Sequence, residues 1–404
     1  MNKSYLLGTT SLVAATVLAG GNALAEAQPL NLSLGGYYHF DAHLYSEDQE
    51  GGTDNHGVIT AQDAEINFNM RGELDNGLKI GGRIELEASN VGADQIDQSW
   101  ITLEAGWGRV DLGAANSGRY NLSWSVNAPN VAHGISSGVQ TEWLSQNGAT
   151  DAFAFRRPLG SANFDASNDD QGIHYYSPRF NGFQLALSYR PEVATTQGSG
   201  GGGSNTGQID EGVAYHDGVD VGVHYTGSVG GMGLTAIVGY ATASAPGNAL
   251  SAVANGGTES FDDMEAVTGG IRLSWDGFRV GGMIANVTEG FCVETGDGAG
   301  GAVDADCADA TDRSSAGTAY TFGASYGQGP WAVSAQMHSG DVEDSIGIAG
   351  DTTLDIWSIS GSYTLGPGLR VIASYQDADL NNEDNIAANG NEGNSFSVGV
   401  AAGF

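Results

Sequence analysis

The residues of this chain best able to do chemistry are charged, and they fall at even spacings. Arg71, Lys79, Arg83, Glu85, Arg109, Asp111, Arg190, Asp220, Arg272, Arg279 and Arg370 each stand in a segment that alternates with apolar or small residues. In extended backbone, residues two apart share a face, so these groups line one side of successive strands. Guanidinium and carboxylate groups ranked along a wet wall sort ions and orient dipolar solutes through their field. Arg71, Arg83 and Arg109 lie close in sequence and are expected to form a cationic stripe. The stretch 116–170 carries Arg119, Glu142, Asp151, Arg156, Arg157 and Asp165. Its carboxylates Glu142, Asp151 and Asp165 are expected to face that stripe and set a transverse field across a narrowed opening.

Other constellations are weaker. His39, Asp41 and His43 share one face, but imidazoles two strand steps apart, about 6.8 Å by β-rise, lack the three or four ligands a metal site needs. Glu294, Asp297, Asp304, Asp306, Asp309 and Asp312 crowd one Gly/Asp/Ala-rich loop. Structural Ca²⁺ suits such carboxylates, yet no EF-hand spacing is present, and a solvated acidic loop without a cofactor is the expectation. Cys292 and Cys307 flank the same loop; in an exported chain a lone pair this close is expected to form a disulfide. A formal charge of −34 excludes a nucleic-acid partner, since phosphate binding needs clustered Lys and Arg. No zinc-protease helix or phosphate-loop motif occurs, and the G-x-S-x-G strings at 134–138 and 323–327 and the G-x-G-x-x-G strings at 198–203 and 296–301 lack the strand-to-helix setting of a nucleophile elbow or a dinucleotide site. The chain therefore does not read as an enzyme. The alternatives are a substrate-selective membrane channel and, after it, a membrane-barrel lipase or protease, which would need a Ser/His or paired-Asp site at a strand end.

These side chains need elements to position them. Residues 1–25 have one early cation, Lys3, an uncharged run, and Ala23-Leu24-Ala25 before Glu26, the pattern of a cleaved export signal. No later stretch is apolar enough for a spanning helix. Gly makes up 64 of the 404 residues, about twice the usual share, which favours sheet with many turns over helix. In 394–404, Phe396, Val398, Val400, Ala402 and Phe404 share one face, while Ser395, Ser397, Gly399, Ala401 and Gly403 share the other. An alternation of this kind requires lipid on one side and water on the other. Sixteen such strands are expected in 26–404. Seven tight turns punctuate them, at 75–77, 106–108, 179–182, 230–233, 276–277, 327–330 and 366–368. Between these lie eight longer connections, at 46–60, 89–95, 116–170, 191–210, 245–261, 288–316, 340–351 and 380–392.

Short and long connections in strict alternation describe an up-and-down barrel with one short-turn rim and one long-loop rim. Trp107, Phe180, Phe183, Trp275, Phe278, Trp331 and Phe404 gather near the short turns, as an interfacial aromatic girdle would. The segment around 354–365 is ambiguous, because adjacent Ile356 and Trp357 are both apolar. The third long connection is rich in Trp124, Val126, Val131, Ile135, Trp143, Leu144, Phe153 and Phe155, so it needs a surface to pack on and is expected to fold into the pore. The fold expected is an all-β, 16-stranded antiparallel transmembrane barrel with short periplasmic turns and long extracellular loops.

With its leader, alternating strands, short turns, long third loop and terminal Phe404, the chain resembles the Gram-negative general porins, closest in style to those of alphaproteobacteria. The resemblance implies a homotrimeric, water-filled outer-membrane channel for ions and small hydrophilic solutes. It also implies that Phe404 is read by the outer-membrane assembly machinery. The Pro-Glu-Phe-Gly-Gly signature of enterobacterial third loops is absent from 116–170, so the constriction carboxylates rest on position alone.

Overall fold

The computed structural model describes residues 30–49, 54–88, 96–133, 143–144, 159–163, 170–193, 215–245, 263–289, 292–293, 313–314, 316–343, 351–382 and 390–404. Sixteen strands close into a single antiparallel barrel. In chain order the first eleven are β1 (Asn31–Gln49), β2 (Asn55–Glu73), β3 (Lys79–Glu87), β4 (Ile96–Ala105), β5 (Gly108–Ala114), β6 (Gln171–Tyr176), β7 (Phe183–Glu192), β8 (His216–Val229), β9 (Met232–Ser244), β10 (Met264–Trp275) and β11 (Phe278–Glu289). A two-residue ribbon, β12 (Cys292–Val293) with β13 (Arg313–Ser314), forms a separate sheet. The barrel resumes with β14 (Gly317–Gln328), β15 (Trp331–Glu343), β16 (Asp351–Gly366), β17 (Leu369–Asn382) and β18 (Asn391–Gly403).

Each strand pairs with its chain neighbour, and β18 returns to pair with β1 from Tyr37↔Gly403 to Gln49↔Asn391. Gly36 and Phe404 exchange both backbone hydrogen bonds at 3.0 Å, which seals the seam. The tight turns follow from local chemistry. At Asn181-Gly182 the φ angles are 47° and 88°, and at Asp276-Gly277 they are 44° and 84°. Two successive left-handed residues make the turn whose twist matches a β-hairpin.

Side-chain parity holds across the seam. Leu32, Leu34, Tyr38, Phe40 and Leu44 of β1 are exposed, as are Phe396, Val398 and Val400 of β18, while Asp41, His43, Ser395 and Ser397 are buried. Contiguous apolar surface on a soluble monomer rarely exceeds a few hundred Å²; here it encircles the barrel and is the lipid face. Aromatic pairs mark the short-turn rim: Phe183 with Tyr225, Trp275 with Phe278, Phe278 with Tyr326, and Trp331 with Tyr363.

The structure refines two expectations. The ladder of β1 and β2 runs on to Glu47↔Asn55, so the first long connection is much shorter than 46–60. Polar side chains do not end a ladder whose bonds are all backbone. The ambiguity at 356–357 also resolves: Trp357 is exposed to lipid, and Ile356 is buried on the lumenal side.

A cation in the middle of this lipid face is costly. Val238→Arg, at a position 65 % exposed in the middle of β9, is expected to lower stability by about 2–4 kcal/mol. Urea titration of protein folded into vesicles measures this, and a cost below about 1 kcal/mol would place Val238 away from hydrocarbon.

Candidate functional site

After β5 the chain turns into the barrel. Ala114 and Ala115 are buried, and the Ser117 hydroxyl caps a short helix, α1 (Gly118–Ser123), by accepting from Tyr120 N–H at 3.1 Å. Gly118 N–H donates to Ser188 Oγ at 2.9 Å, which pins the helix start to β7. Arg119 then reaches the wall. Its Nε lies 3.0 Å from both Asp220 oxygens, and Nη1 donates to Thr268 Oγ1 at 3.1 Å. Both ends of this ion pair are buried. Space for the arginine stem comes from two glycines: a Cβ on Gly222 would stand 2.9 Å from Arg119 Cγ, and one on Gly239 would stand 2.0 Å from its Cδ.

From there the described parts of the loop follow the inner wall. Val126 and Ala162 pack on Ile237, Met283 and Ala319. Asn130 donates to Gln336, Val131 N–H donates to Ser334 Oγ at 3.1 Å, and His338 Nε2 donates to the Leu159 carbonyl at 2.8 Å. Trp143 donates to Gln376 at 3.1 Å, and with Leu144 and Leu159 it packs on Leu354, Ile356 and Leu380. His133 pairs with Asp41 of β1 at 3.0 Å and lies with its ring centroid 4.4 Å from that of His39. The described loop residues thus cover the lumenal faces of most strands from β6 round to β1.

A cavity of about 800 Å³ lies inside the barrel against β3–β5 and the β6–β7 turn, lined by Arg83, Glu85, Trp100, Arg109, Asp111 and Arg179 on the wall and by Asn121 and Leu122 on the loop. Arg71, Arg83 and Arg109 all project into the barrel, but the wall is not a bare cationic stripe. Arg83 pairs with Glu85 at 2.9 Å, and Arg109 grips Asp111 in a bidentate pair at 2.6 and 2.8 Å. A carboxylate two residues along the same strand faces the same way, so each arginine finds its counter-ion on its own strand. Arg71 is exposed and makes no ion pair among the described residues. Above the arginines the wall turns acidic, with Asp63 and Glu65 on β2, Glu85 and Glu87 on β3, and Asp97 on β4.

The sequence expectation placed Glu85 on the inner face beside the arginines but read no acidic patch there. Its signal was there in part, since Asp63, Glu65, Glu85 and Glu87 hold the inward parity. Asp97 was hidden, because a register shift between Ile84 and Leu86 brings it in. Glu142, Asp151 and Asp165 lie outside the described residues, as do Cys307 and the acids from Glu294 to Asp312. Of the histidine row, Asp41 binds His133 and His43 meets Ser395 Oγ at 3.1 Å, so these groups serve packing and loop anchoring.

The Arg119–Asp220 pair predicts a measurable dependence. Asp220→Ala removes the buried carboxylate that Arg119 Nε grips, and breaking a buried pair costs about 3–5 kcal/mol, enough to detach α1 from the wall. Single-channel recording should then show larger and noisier current steps than wild type; unchanged steps would mean the pair does not hold the loop.

A family model described as Gram-negative porin matches residues 10–401. No curated protein matches the chain significantly. Among solved structures, the anion-selective porin of Comamonas acidovorans superposes with a TM-score of 0.56 at 14 % identity, covering 93 % of this chain and 100 % of its own. The outer membrane channel DcaP of Acinetobacter baumannii gives 0.58 at 13 %, with 93 % and 97 % covered. Salmonella typhi OmpF in complex with daunomycin gives 0.56 at 15 %, with 92 % and 97 % covered. At such identities these structures speak for the fold alone; the family match spans nearly the whole sequence. The chain belongs to the Gram-negative porin family, and is an outer-membrane barrel for passive diffusion of ions and small hydrophilic solutes.

Proposed function

We propose that the channel narrows between the inward loop and the β2–β5 wall, and that it passes small hydrophilic cations in preference to anions. In this reading Arg71, Arg83 and Arg109 supply the wall's positive charge, and Glu142, Asp151 and Asp165 of the loop supply negative charge across the gap. One observation supports the cation preference: Arg83 and Arg109 are each neutralised by a carboxylate on the same strand, and Asp63, Glu65 and Asp97 add further carboxylates on the inner face of β2 and β4. Lumenal carboxylates raise the local cation concentration, and the low-dielectric barrel wall focuses that field. The Comamonas porin is described as anion-selective; the acidic wall here supports the opposite sign.

We further infer a homotrimer embedded in the outer-membrane bilayer, placed there by assembly machinery that reads Phe404. A trimer form is described for OmpT of Vibrio cholerae, a barrel of the same fold. This reading makes the protein a conduit and not an enzyme; purified protein that hydrolysed phospholipid would overturn it.

Reversal potentials in a tenfold KCl gradient across planar bilayers test the proposal. The expected sign is cation preference, and Glu65→Gln with Glu85→Gln should lower the potassium-to-chloride permeability ratio at least about twofold. Wild-type potentials favouring chloride would reject the cation reading and leave the porin assignment untouched.

A further inference from the structure

Charge is ordered along the barrel axis as well as across it. On β3 the inward side chains run from Lys79 at the short turn, through Arg83, to Glu85 and Glu87 at the far end. Glu65 of β2 lies level with Glu87, its ladder partner, while Arg71 lies level with Gly81, nearer the turn. Asp97 stands at that same far end, where β4 begins. On this wall the acids therefore sit toward the long-loop mouth and the cations toward the short-turn mouth.

The short-turn mouth keeps its sign round the barrel. Within four residues of a tight turn, Lys79 is paired with Glu104 and Arg109 with Asp111. Arg71, Arg179, Arg272, Arg279 and Arg370 stand there too, and none of them makes an ion pair among the described residues. Arg179 donates to the Gly182 carbonyl at 3.1 Å and to Gln184 Oε1 at 2.7 Å, both neutral. Arg272 and Arg279 share the inner face of one hairpin, across from Gly281 and Ser274. Arg370 lies between Thr364 and Ala401 in its two ladders. Against these five guanidiniums, the other acids at the tight turns among the described residues are Glu73, Asp75 and Asp276. The mouth is thus net positive on a chain whose formal charge is −34.

Separation decides whether the two zones act apart. Arg71 and Glu65 are six residues apart on β2, about 20 Å along the strand and about 15 Å along the axis of a tilted barrel. The Debye length is about 10 Å at 0.1 M salt and about 3 Å at 1 M. Each mouth therefore keeps its own ion atmosphere, with cations gathered at the long-loop side and anions at the short-turn side. A voltage positive on the long-loop side drives both ions toward the junction and fills the passage with carriers. The opposite voltage pulls both away and empties it.

We infer that the pore rectifies. Small cations enter from the long-loop side, and small anions such as carboxylates leave from the short-turn side, more readily than either moves the other way under an equal and opposite voltage. The inference deepens the charged passage proposed above, and it depends on Arg272, Arg279 and Arg370, which that reading does not use. Such a pore does no work; its asymmetry shows only under a voltage or a salt gradient.

The test records single channels of the full chain in planar bilayers at equal and opposite voltages. Orientation is fixed on each channel with Asn76→Cys, at an exposed position of the β2–β3 turn, biotinylated in a Cys292→Ser/Cys307→Ser background. Streptavidin is too large to pass and binds only from the chamber that the short turns face. In about 0.1 M KCl, current with the long-loop side positive should exceed the reverse current at least about 1.5-fold, and the ratio should fall to about one in 1 M KCl. Arg272→Glu/Arg279→Glu/Arg370→Glu makes both mouths acidic, and should bring the ratio to about one in about 0.1 M KCl as well. In a KCl gradient, cation preference should be stronger with the dilute solution at the long-loop mouth than with the gradient reversed. Equal currents at both polarities in dilute salt, rectification of the opposite sign, or rectification unchanged in the folded, heat-modifiable triple variant would each overturn the inference. Chloride preference in both gradient directions, with rectification retained, would keep it and reject the cation-preferring reading.

Discussion

Hydrocarbon offers no hydrogen-bond partner to a peptide group, and every other feature of this molecule depends on that constraint. An open sheet edge in lipid would cost several kcal/mol for each unsatisfied group, so the strands must close on themselves. The seam between β1 and β18 does this, ending in the reciprocal Gly36–Phe404 bonds. Closure leaves a wall with two faces and a strict period of two. Apolar side chains go to lipid, and ionised groups must go to the interior, because that is where water remains.

A barrel of this width would be a wide hole without its third loop. The loop is held by two kinds of force at separate places. Near β5 it is held by charge, through the buried Arg119–Asp220 pair set in the space left by Gly222 and Gly239. On the far side it is held by apolar packing, where Trp143, Leu144 and Leu159 meet Leu354, Ile356 and Leu380. Burial of that size stabilises by about 1.5–3 kcal/mol for each large side chain. With the loop seated there, a cavity is left against β3–β5, where Arg83, Glu85, Arg109 and Asp111 stand.

Much of this was legible in the sequence. The period-two alternation in 394–404, the Asn-Gly and Asp-Gly turns, and the parity of Arg83 and Arg109 gave strands, hairpins and inside from outside. Where the reading stopped, the cause was physical. Ile237, Met283, Leu354 and Ile356 face inward although they are apolar, because they seat the loop and not water. Local alternation cannot announce such a distant partner. The arginines looked like a stripe of one sign because strand parity fixes direction but not who pairs with whom. Asp97 escaped because a bulge breaks the very period on which the reading rests.

The central claim is that neighbouring residues on one strand face two different solvents, and adjacent positions on β3 test it most directly. With Cys292 and Cys307 replaced by Ser, Arg83→Cys and Ile84→Cys can each be exposed in membranes to a charged, water-soluble thiol reagent. Arg83→Cys should react rapidly and lose current as the reagent occupies the passage, while Ile84→Cys should stay unmodified and react only with a lipid-soluble analogue. Equal reactivity at the two positions, or the reverse order, would contradict a water-filled interior bounded by a lipid-facing wall.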